Sequence, residues 1–241
     1  MRAQSFDAVL FDMDGVVVDT ERTVSEFWLE LARAEGTSLT PADLEEHVFG
    51  RPAAHTLSAL FPMIPESRYR NVYEKLEADN RNLRYTEIPG ASTLLHGLKG
   101  NRIPMALVTG AQHWKVTEVI SQLKLAAVFD TTVGAEDIAA GKPDPQCYLL
   151  AAARLGARTD RCLVFEDAIS GIAAAVAAGA ACVALAPERR RKQALNAGAV
   201  AVVADLREVR FSAGTGQMRV GSRLVFPFAQ RRGRLVPARH A

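Results

Sequence analysis

Two aspartates one residue apart, Asp12 and Asp14, close an apolar run in "AVLFDMDGVVVDT", Ala8 to Thr20. Carboxylates this close raise each other's cost of ionisation, so a metal ion, a shared proton or water must offset the repulsion. Three later apolar runs also end in polar groups: Thr109, followed by Gly110, after "ALV"; Lys142 in "GKPDP"; and the acidic pair Glu166 and Asp167 after "LVF". Each alone says little. A "DxD" pair is common on surfaces, "TG" is usually a turn or a helix cap, "GKP" is usually a solvated loop, and "ED" ahead of a helix often only complements its dipole. Four such features at successive strand ends, in one order, say more. Gathered at one edge they supply four carboxylates, an ammonium and a hydroxyl. Mg²⁺ prefers oxygen ligands, usually one or two carboxylates plus water and substrate phosphate, and Asp12 and Asp167 are its natural side-chain ligands. Lys142 and Thr109 then suit a phosphoryl group, whose transfer is mostly positioning and charge stabilisation. One aspartate can attack phosphorus. The other can protonate the leaving oxygen and then deprotonate water.

The elements that must position these groups are legible as a change of periodicity. From Thr20 to about Tyr85 the chain reads as helices. "ERTVSEFWLELARAEG" places Val24, Phe27, Trp28, Leu31 and Ala34 on one face, near a 3.6-residue period. "TPADLEEHVFG" carries a Thr cap, a Pro at the first helical position and a Gly stop, and "ESRYRNVYEKLEADNRNL" is a third, charge-rich helix. After "IPG" helices alternate with short apolar strands, "IPMALVTG", "VFDTTVG", "CLVFED", "CVALA" and "AVVAD". That alternation predicts a parallel sheet covered on both faces, with ligands bound beyond its strand ends.

Composition bounds the class. The 241 residues, 49% of them hydrophobic, allow one large domain or two modest ones with a real core. No run reaches the roughly 18 apolar residues of a membrane span, and the N-terminus runs directly into the first strand, so no secretory signal is expected. Cys147, Cys162 and Cys182 lack metal-ligand spacing and read as buried thiols of a cytoplasmic protein. The formal charge of +2 divides unevenly. Six of the 29 basic residues are arginines beyond Ser212, where no acid stands; the other 23 face 27 acidic residues, which leaves residues 1–212 at −4. The basic tail reads as a solvated end, and nothing here predicts a nucleic-acid binder.

"FDMDGVVVDT", "VTG", "GKPDP" and "VFEDAISGIAAAVAAGA" together resemble, in order, the four motifs of the haloacid dehalogenase (HAD) superfamily, in its β-phosphoglucomutase-like branch; the resemblance spans roughly Phe6 to Leu206. It implies an α/β fold: a Rossmann-like parallel core (residues 1–19 and 87–212) and a small inserted helical cap (20–86). Beyond the resemblance, residues 213–241 carry no acid and follow the last assignable strand, so they are expected to form a basic C-terminal tail, dispensable for catalysis. By resemblance Asp12 is the nucleophile that forms an aspartyl-phosphate, and Asp14 the general acid/base with its backbone carbonyl on Mg²⁺. Thr109 is the phosphate-binding hydroxyl, with Gly110 beside it, and Lys142 stabilises nucleophile and phosphate. Asp167 is a metal ligand assisted by Glu166, and Gly15 to Asp19 form a hairpin that couples cap to core. The name-giving dehalogenases replace the second aspartate; Asp14 is present here, which favours phosphate esters. Sugar-phosphate mutases of the family carry a histidine on the first cap helix, and "TERTVSEFW" has none. The expectation is a Mg²⁺-dependent phosphatase of a small phosphorylated metabolite, a sugar or polyol phosphate, acting as a monomer or weak dimer. A phosphosugar mutase and a non-catalytic binder on the same fold are the alternatives. In the cap, Arg51 of "FGRPAAHTL" is the substrate-contacting candidate, with Lys75 and Arg81 behind it. Phe27 and Trp28 read as cap core, and His55 and His113 as ordinary polar positions.

Overall fold

A computed structural model describes residues 5–49, 53–81, 84–222 and 224–229, with the side chains of residues 80 and 81 outside that set. Strand β1 (Ala8–Phe11) is followed by β2 (Val18–Asp19) and then by four helices, α1 (Glu21–Ala34), α2 (Pro41–His47), α3 (Ala53–Leu60) and α4 (Tyr69–Arg81). The chain returns through β3 (Thr86–Glu87) and runs α5 (Ala91–Gly100), β4 (Met105–Val108), α6 (His113–Gln122), β5 (Thr131–Val133), α7 (Gln146–Arg154), β6 (Cys162–Glu166), α8 (Ile169–Ala177), β7 (Ala181–Leu185), α9 (Arg191–Asn196) and β8 (Ala201–Val203). A meander closes it, β9 (Val209–Ser212), β10 (Gln217–Val220) and β11 (Leu224–Pro227).

The main sheet has the order β5-β4-β1-β6-β7-β8, and all its pairings are parallel. The first strand is therefore central. Successive units build outward to one side through β4 and β5, then to the other through β6, β7 and β8. Ligands bind at such a reversal of strand order, and β1, β4 and β6 flank it.

The strands are apolar throughout because both faces are covered. Val9, Phe11, Met105, Leu107, Leu163 and Phe165 enter one core layer, where Phe11 and Phe165 stack with centroids 5.1 Å apart. Their neighbours Ala8, Leu10, Ala106, Val108, Cys162 and Val164 enter the other, against α7 and α8. This second layer is rich in Ala and Cys, so its helices can approach the sheet closely. Cys147, Cys162 and Cys182 all lie in it as free, buried thiols.

Helices α1 to α4 pack about a separate cluster that includes Phe27, Trp28, Leu57, Phe61 and Val72, so Phe27 and Trp28 belong to the core of the insert. Thr40 caps α2 reciprocally with Asp43, followed by Pro41 at the first helical position, which satisfies otherwise orphaned N–H groups. The two linkers to the insert pair antiparallel as β2 and β3. Among the described residues, no helix is long and apolar enough to cross a membrane.

The expectation of a tail outside the fold from Ala213 onward is corrected. Strands β9, β10 and β11 form an antiparallel sheet, and Met218, Val220, Phe226 and Phe228 join the first core layer. The chain then pairs with its own start: Phe6 N–H donates to the Pro227 carbonyl at 2.7 Å, and the Ala229 N–H donates to the Phe6 carbonyl at 2.9 Å. Phe6 meets Phe226 edge to face at 5.4 Å. Pro227 is tolerated because it ends an edge strand. Residues 230–241, with four of the six arginines, lie outside the described residues.

Truncation after Ser212 is therefore expected to destabilise the protein severely. Phe226→Ala should cost about 3 kcal/mol by the usual toll of emptying a core aromatic, measured by urea unfolding; a cost under about 0.5 kcal/mol would place the meander outside the core.

Candidate active site

Alternation along the strands explains which side chains meet. Asp12 continues the parity of Ala8 and Leu10, and Glu166 that of Cys162 and Val164, so both emerge on the α7–α8 side at the C-terminal edge. Lys142 reaches in from the loop before α7. Its Nζ donates to Asp12 Oδ1, to Glu166 Oε1 at 2.5 Å and to the Val108 carbonyl at 3.3 Å. It also lies 5.1 Å from the Tyr148 ring centroid, within cation–π range.

Glu166 is only 1% exposed. Oε1 accepts from Lys142 and from Tyr148 OH at 2.6 Å; Oε2 accepts from the Asp167 and Ala168 amides at 3.0 and 3.2 Å. With four donors on its two oxygens, Glu166 anchors Lys142 and has little left for a cation. Asp12, Glu166 and Asp167 nevertheless bring carboxylate oxygens within 4.8 Å of one another.

Two glycines make room for this cluster. A Cβ on Gly171, in the first turn of α8, would fall 1.8 Å from Glu166 Oε1. One on Gly15 would fall 2.2 Å from Asp167 Oδ2, and Gly15 also has φ +75°, a left-handed conformation that disfavours other residues.

The electrostatics follow from burial. Desolvation pushes the Asp12 carboxyl up to about 8; Lys142 opposes that shift, and Glu166 and Asp14 add to it. Asp167 is held well above the usual carboxylate range, again mainly by burial and then by Glu166 and Asp12. Three carboxyl groups crowd against one ammonium, so ionising all of them would leave negative charge in excess. Hard oxygen donors in that state fit a divalent cation, which would stabilise their charged forms.

Thr109 follows β4 and is nearly buried. Its Oγ1 accepts from the Ala111 amide at 3.0 Å, which leaves the hydroxyl proton to donate elsewhere. A Cβ at Gly110 would meet nothing within 4 Å, so the backbone beside Thr109 borders open space.

Asp14 stands apart from the metal-ready group of carboxylates. It belongs to the tight hairpin after β1, in which the Val17 and Val18 amides both donate to the Met13 carbonyl, and Oδ1 accepts from Lys115 Nζ at 2.8 Å. Lys115, on α6, is a site residue that the sequence reading missed, as is Tyr148. Both lie inside helices with no local motif, and only their partners from 101 and 18 residues away reveal them.

The remaining candidates separate. Arg51 lies outside the described residues, as does the side chain of Arg81. Lys75 is paired with Asp79 at 2.7 Å on its own helix and covers the Phe27 ring at 5.2 Å, so it is engaged within the insert. His55 faces His47 at 3.4 Å, and His113 Nε2 lies 3.1 Å from Asp137. Between insert and core, Arg190 meets Glu21 at 2.7 Å and Glu45 at 3.3 Å, and Arg189 also meets Glu45.

Fold and site define a doubly wound α/β protein with a cation-ready carboxylate cluster at its switch point and a helical insert inside the first crossover. The chain belongs to the haloacid dehalogenase-like hydrolase family, whose profile matches residues 9–185. It is 32% identical to the phosphorylated carbohydrates phosphatase of Thermotoga maritima, over 82% of this chain and 94% of that one. Hexitol phosphatase A of Escherichia coli is 33% identical, over 74% and 81%. The solved structure of a HAD family hydrolase from Deinococcus radiodurans, with bound phosphate and sodium, aligns with TM-score 0.73 at 26% identity, covering 85% of this chain and 93% of that one.

Two outcomes are expected. Gly171→Ala should displace Glu166, loosen Lys142 and lower kcat by about 10²-fold, the scale of a 1 Å misplacement; unchanged kcat in a folded variant would contradict the anchor. Without a divalent cation, between the ordinary carboxylate range and about 8 the folded chain keeps a proton on Asp12 that the unfolded chain releases. Stability should thus fall as pH rises through that window. Saturating Mg²⁺ binds the charged form, so its Tm increment should be larger at pH 8 than at pH 6. Equal increments would place the cation elsewhere.

Proposed function

We propose that this chain is a Mg²⁺-dependent phosphatase that hydrolyses a small phosphorylated metabolite, of the sugar or polyol phosphate class, through an aspartyl-phosphate on Asp12. The observation that carries the reading is the meeting of Asp12 and Asp167, at the ends of β1 and β6, with Lys142, whose ammonium also reaches the Val108 carbonyl beside Thr109 at the end of β4. A buried nucleophilic carboxylate, a fixed ammonium and a hydroxyl donor match a phosphoryl group. The names of the Thermotoga and Escherichia coli relatives support the substrate class.

Asp12, Asp167 and the Asp14 carbonyl would hold the cation, and Glu166 would hold Lys142. When bound, Mg²⁺ neutralises carboxylate and phosphate charge together. Lys142, fixed between Asp12 and Glu166, aims the Asp12 carboxylate and faces the phosphoryl oxygens. Thr109 donates its hydroxyl proton to another of them, with Gly110 open beside it. An Asp12 oxygen forms a bond to phosphorus as the ester P–O bond breaks. Asp14 gives its proton to the departing oxygen, and the alcohol leaves. Asp14, now a carboxylate, takes a proton from water. The hydroxide attacks phosphorus, the Asp12–phosphorus bond breaks, and inorganic phosphate is released with Asp12 regenerated. All these groups come from one chain, so a monomer or weak dimer suffices, and the three buried thiols suit a reducing cytoplasm.

The insert would choose the substrate, with Arg51 gripping the group beyond the phosphate. Mutase chemistry is not favoured: α1 lacks the histidine that the mutases carry.

A panel of sugar and polyol phosphates should release phosphate in the presence of Mg²⁺. Asp12→Asn should abolish turnover, since an amide cannot form the acyl phosphate, and Asp14→Asn should slow it 10²–10⁴-fold. Isomerisation without phosphate release would instead identify a mutase, and silence on the whole panel a binding protein.

A further inference from the structure

We propose that Lys115 is a positioning residue for Asp14, holding the proton-transferring carboxylate beside the leaving-group oxygen from the phosphate-binding side of the site. The inference rests on the phosphatase reading above.

Several observations converge on it. Asp14 sits on a tight hairpin whose hydrogen bonds fix the backbone, and its side chain is a third exposed. Lys115 Nζ binds Oδ1 at 2.8 Å while Lys115 itself is only 16% exposed. The pair spans 101 residues, from the hairpin after β1 to α6, so it cannot arise from local helix pairing.

Nor does α6 gain from a lysine there. Lys115 is the third residue of a helix that begins at His113, and a cation near a helix N-terminus opposes the dipole by about 0.3–1 kcal/mol. Glu118, one turn on, already accepts from Gln122 Nε2 at 2.7 Å. The lysine stands where it disfavours its own helix and meets the one carboxylate that has left the metal-ready cluster.

The position ties two parts of the reaction. Helix α6 begins four residues after Thr109, whose Oγ1 accepts from the Ala111 amide, so a short hydrogen-bonded turn links Lys115 to the phosphate-binding hydroxyl. Through Lys115 the acid is registered against the strand that holds the phosphoryl group, and not only against the linkers to the insert. A neutral side chain would leave Asp14 free to swing away from the leaving oxygen.

Ester substrates that differ in leaving group test this. An alkyl phosphate such as glucitol 6-phosphate needs a proton donor when its bond breaks; 2,4-dinitrophenyl phosphate does not. kcat/KM reports on formation of the Asp12 phosphoenzyme, so both esters are compared there with full-length wild type, Lys115→Met, Lys115→Arg and Asp14→Asn. Lys115→Met is expected to lose about tenfold on the alkyl ester, within the range of general-acid contributions, and at least fivefold less on the aryl ester. Lys115→Arg should recover most of the loss. In the Asp14→Asn background Lys115→Met should add less than about twofold, because coupled residues are not additive.

Equal losses on both esters would show a structural role and overturn the proposal, as would wild-type kinetics in Lys115→Met or full additivity with Asp14→Asn. If Lys115→Met does not fold, Lys115→Gln carries the same comparison. Wild-type turnover of the aryl ester reports separately on the phosphatase reading, and its absence would overturn both.

Discussion

Lys142 lies buried between Asp12 and Glu166, and the rest of the site depends on that charge cluster. An ammonium withdrawn from water is tolerated only where carboxylates and hydrogen bonds replace its hydration. Here Asp12, Glu166 and the Val108 carbonyl do so, with the Tyr148 ring on a further side. Glu166 in turn is satisfied by Tyr148 and two amides at the start of α8. The closeness of that helix is possible because residue 171 has no side chain. The small residues of the second core layer serve the same end, bringing α7 and α8 near enough for their groups to reach the edge of β6.

The cluster is undercompensated by design of its parts. Burial makes ionised carboxylates expensive here, and three of them would outnumber the one ammonium; both effects raise Asp12 and Asp167, burial most. A phosphate dianion would add to that repulsion. On the proposed reading cation and substrate belong together: a bound cation would lower the cost of ionising Asp12 and also the cost of bringing a phosphate beside it.

On the proposed reading, chemistry and selection are carried by different parts of the chain. Asp12, Thr109 and Glu166 continue or end strands whose both faces are buried, so their positions are fixed by the core, and Lys142 is held against them by its hydrogen bonds. The insert leaves and returns through paired linkers and has its own apolar cluster. It touches the core through ion pairs of Arg189 and Arg190 with Glu21 and Glu45. Such partly exposed pairs are each worth little, and an insert held this way can adjust over a substrate without disturbing the carboxylates. Asp14 sits on the hairpin next to those linkers, which would place the proposed proton donor where the two parts meet.

The sequence by itself determined the helical insert, the alternating strands and the residues that end them. Those signals are local: Asp12, Thr109 and Asp167 each follow an apolar strand, and period 2 or 3.6 is visible within a dozen residues; Lys142, expected at a strand end, stands instead in the loop before α7, nine residues beyond β5. It also held the hairpin signals of the closing meander, Gly214 and Gly216 ahead of the alternating "QMRV" and Gly221 between that run and "LVFP", but the arginines and Pro227 masked them. Burial against Phe6, more than 200 residues earlier, decided that segment's fate. Only the tertiary structure could show that Glu166 is spent on Lys142, that Gly171 and Gly15 are cavities for carboxylates, and that Asp14 is bound by Lys115. A carboxylate's role depends on which donors surround it, and here those donors come from helices far along the chain, brought together by the sheet order and not by any spacing in the sequence.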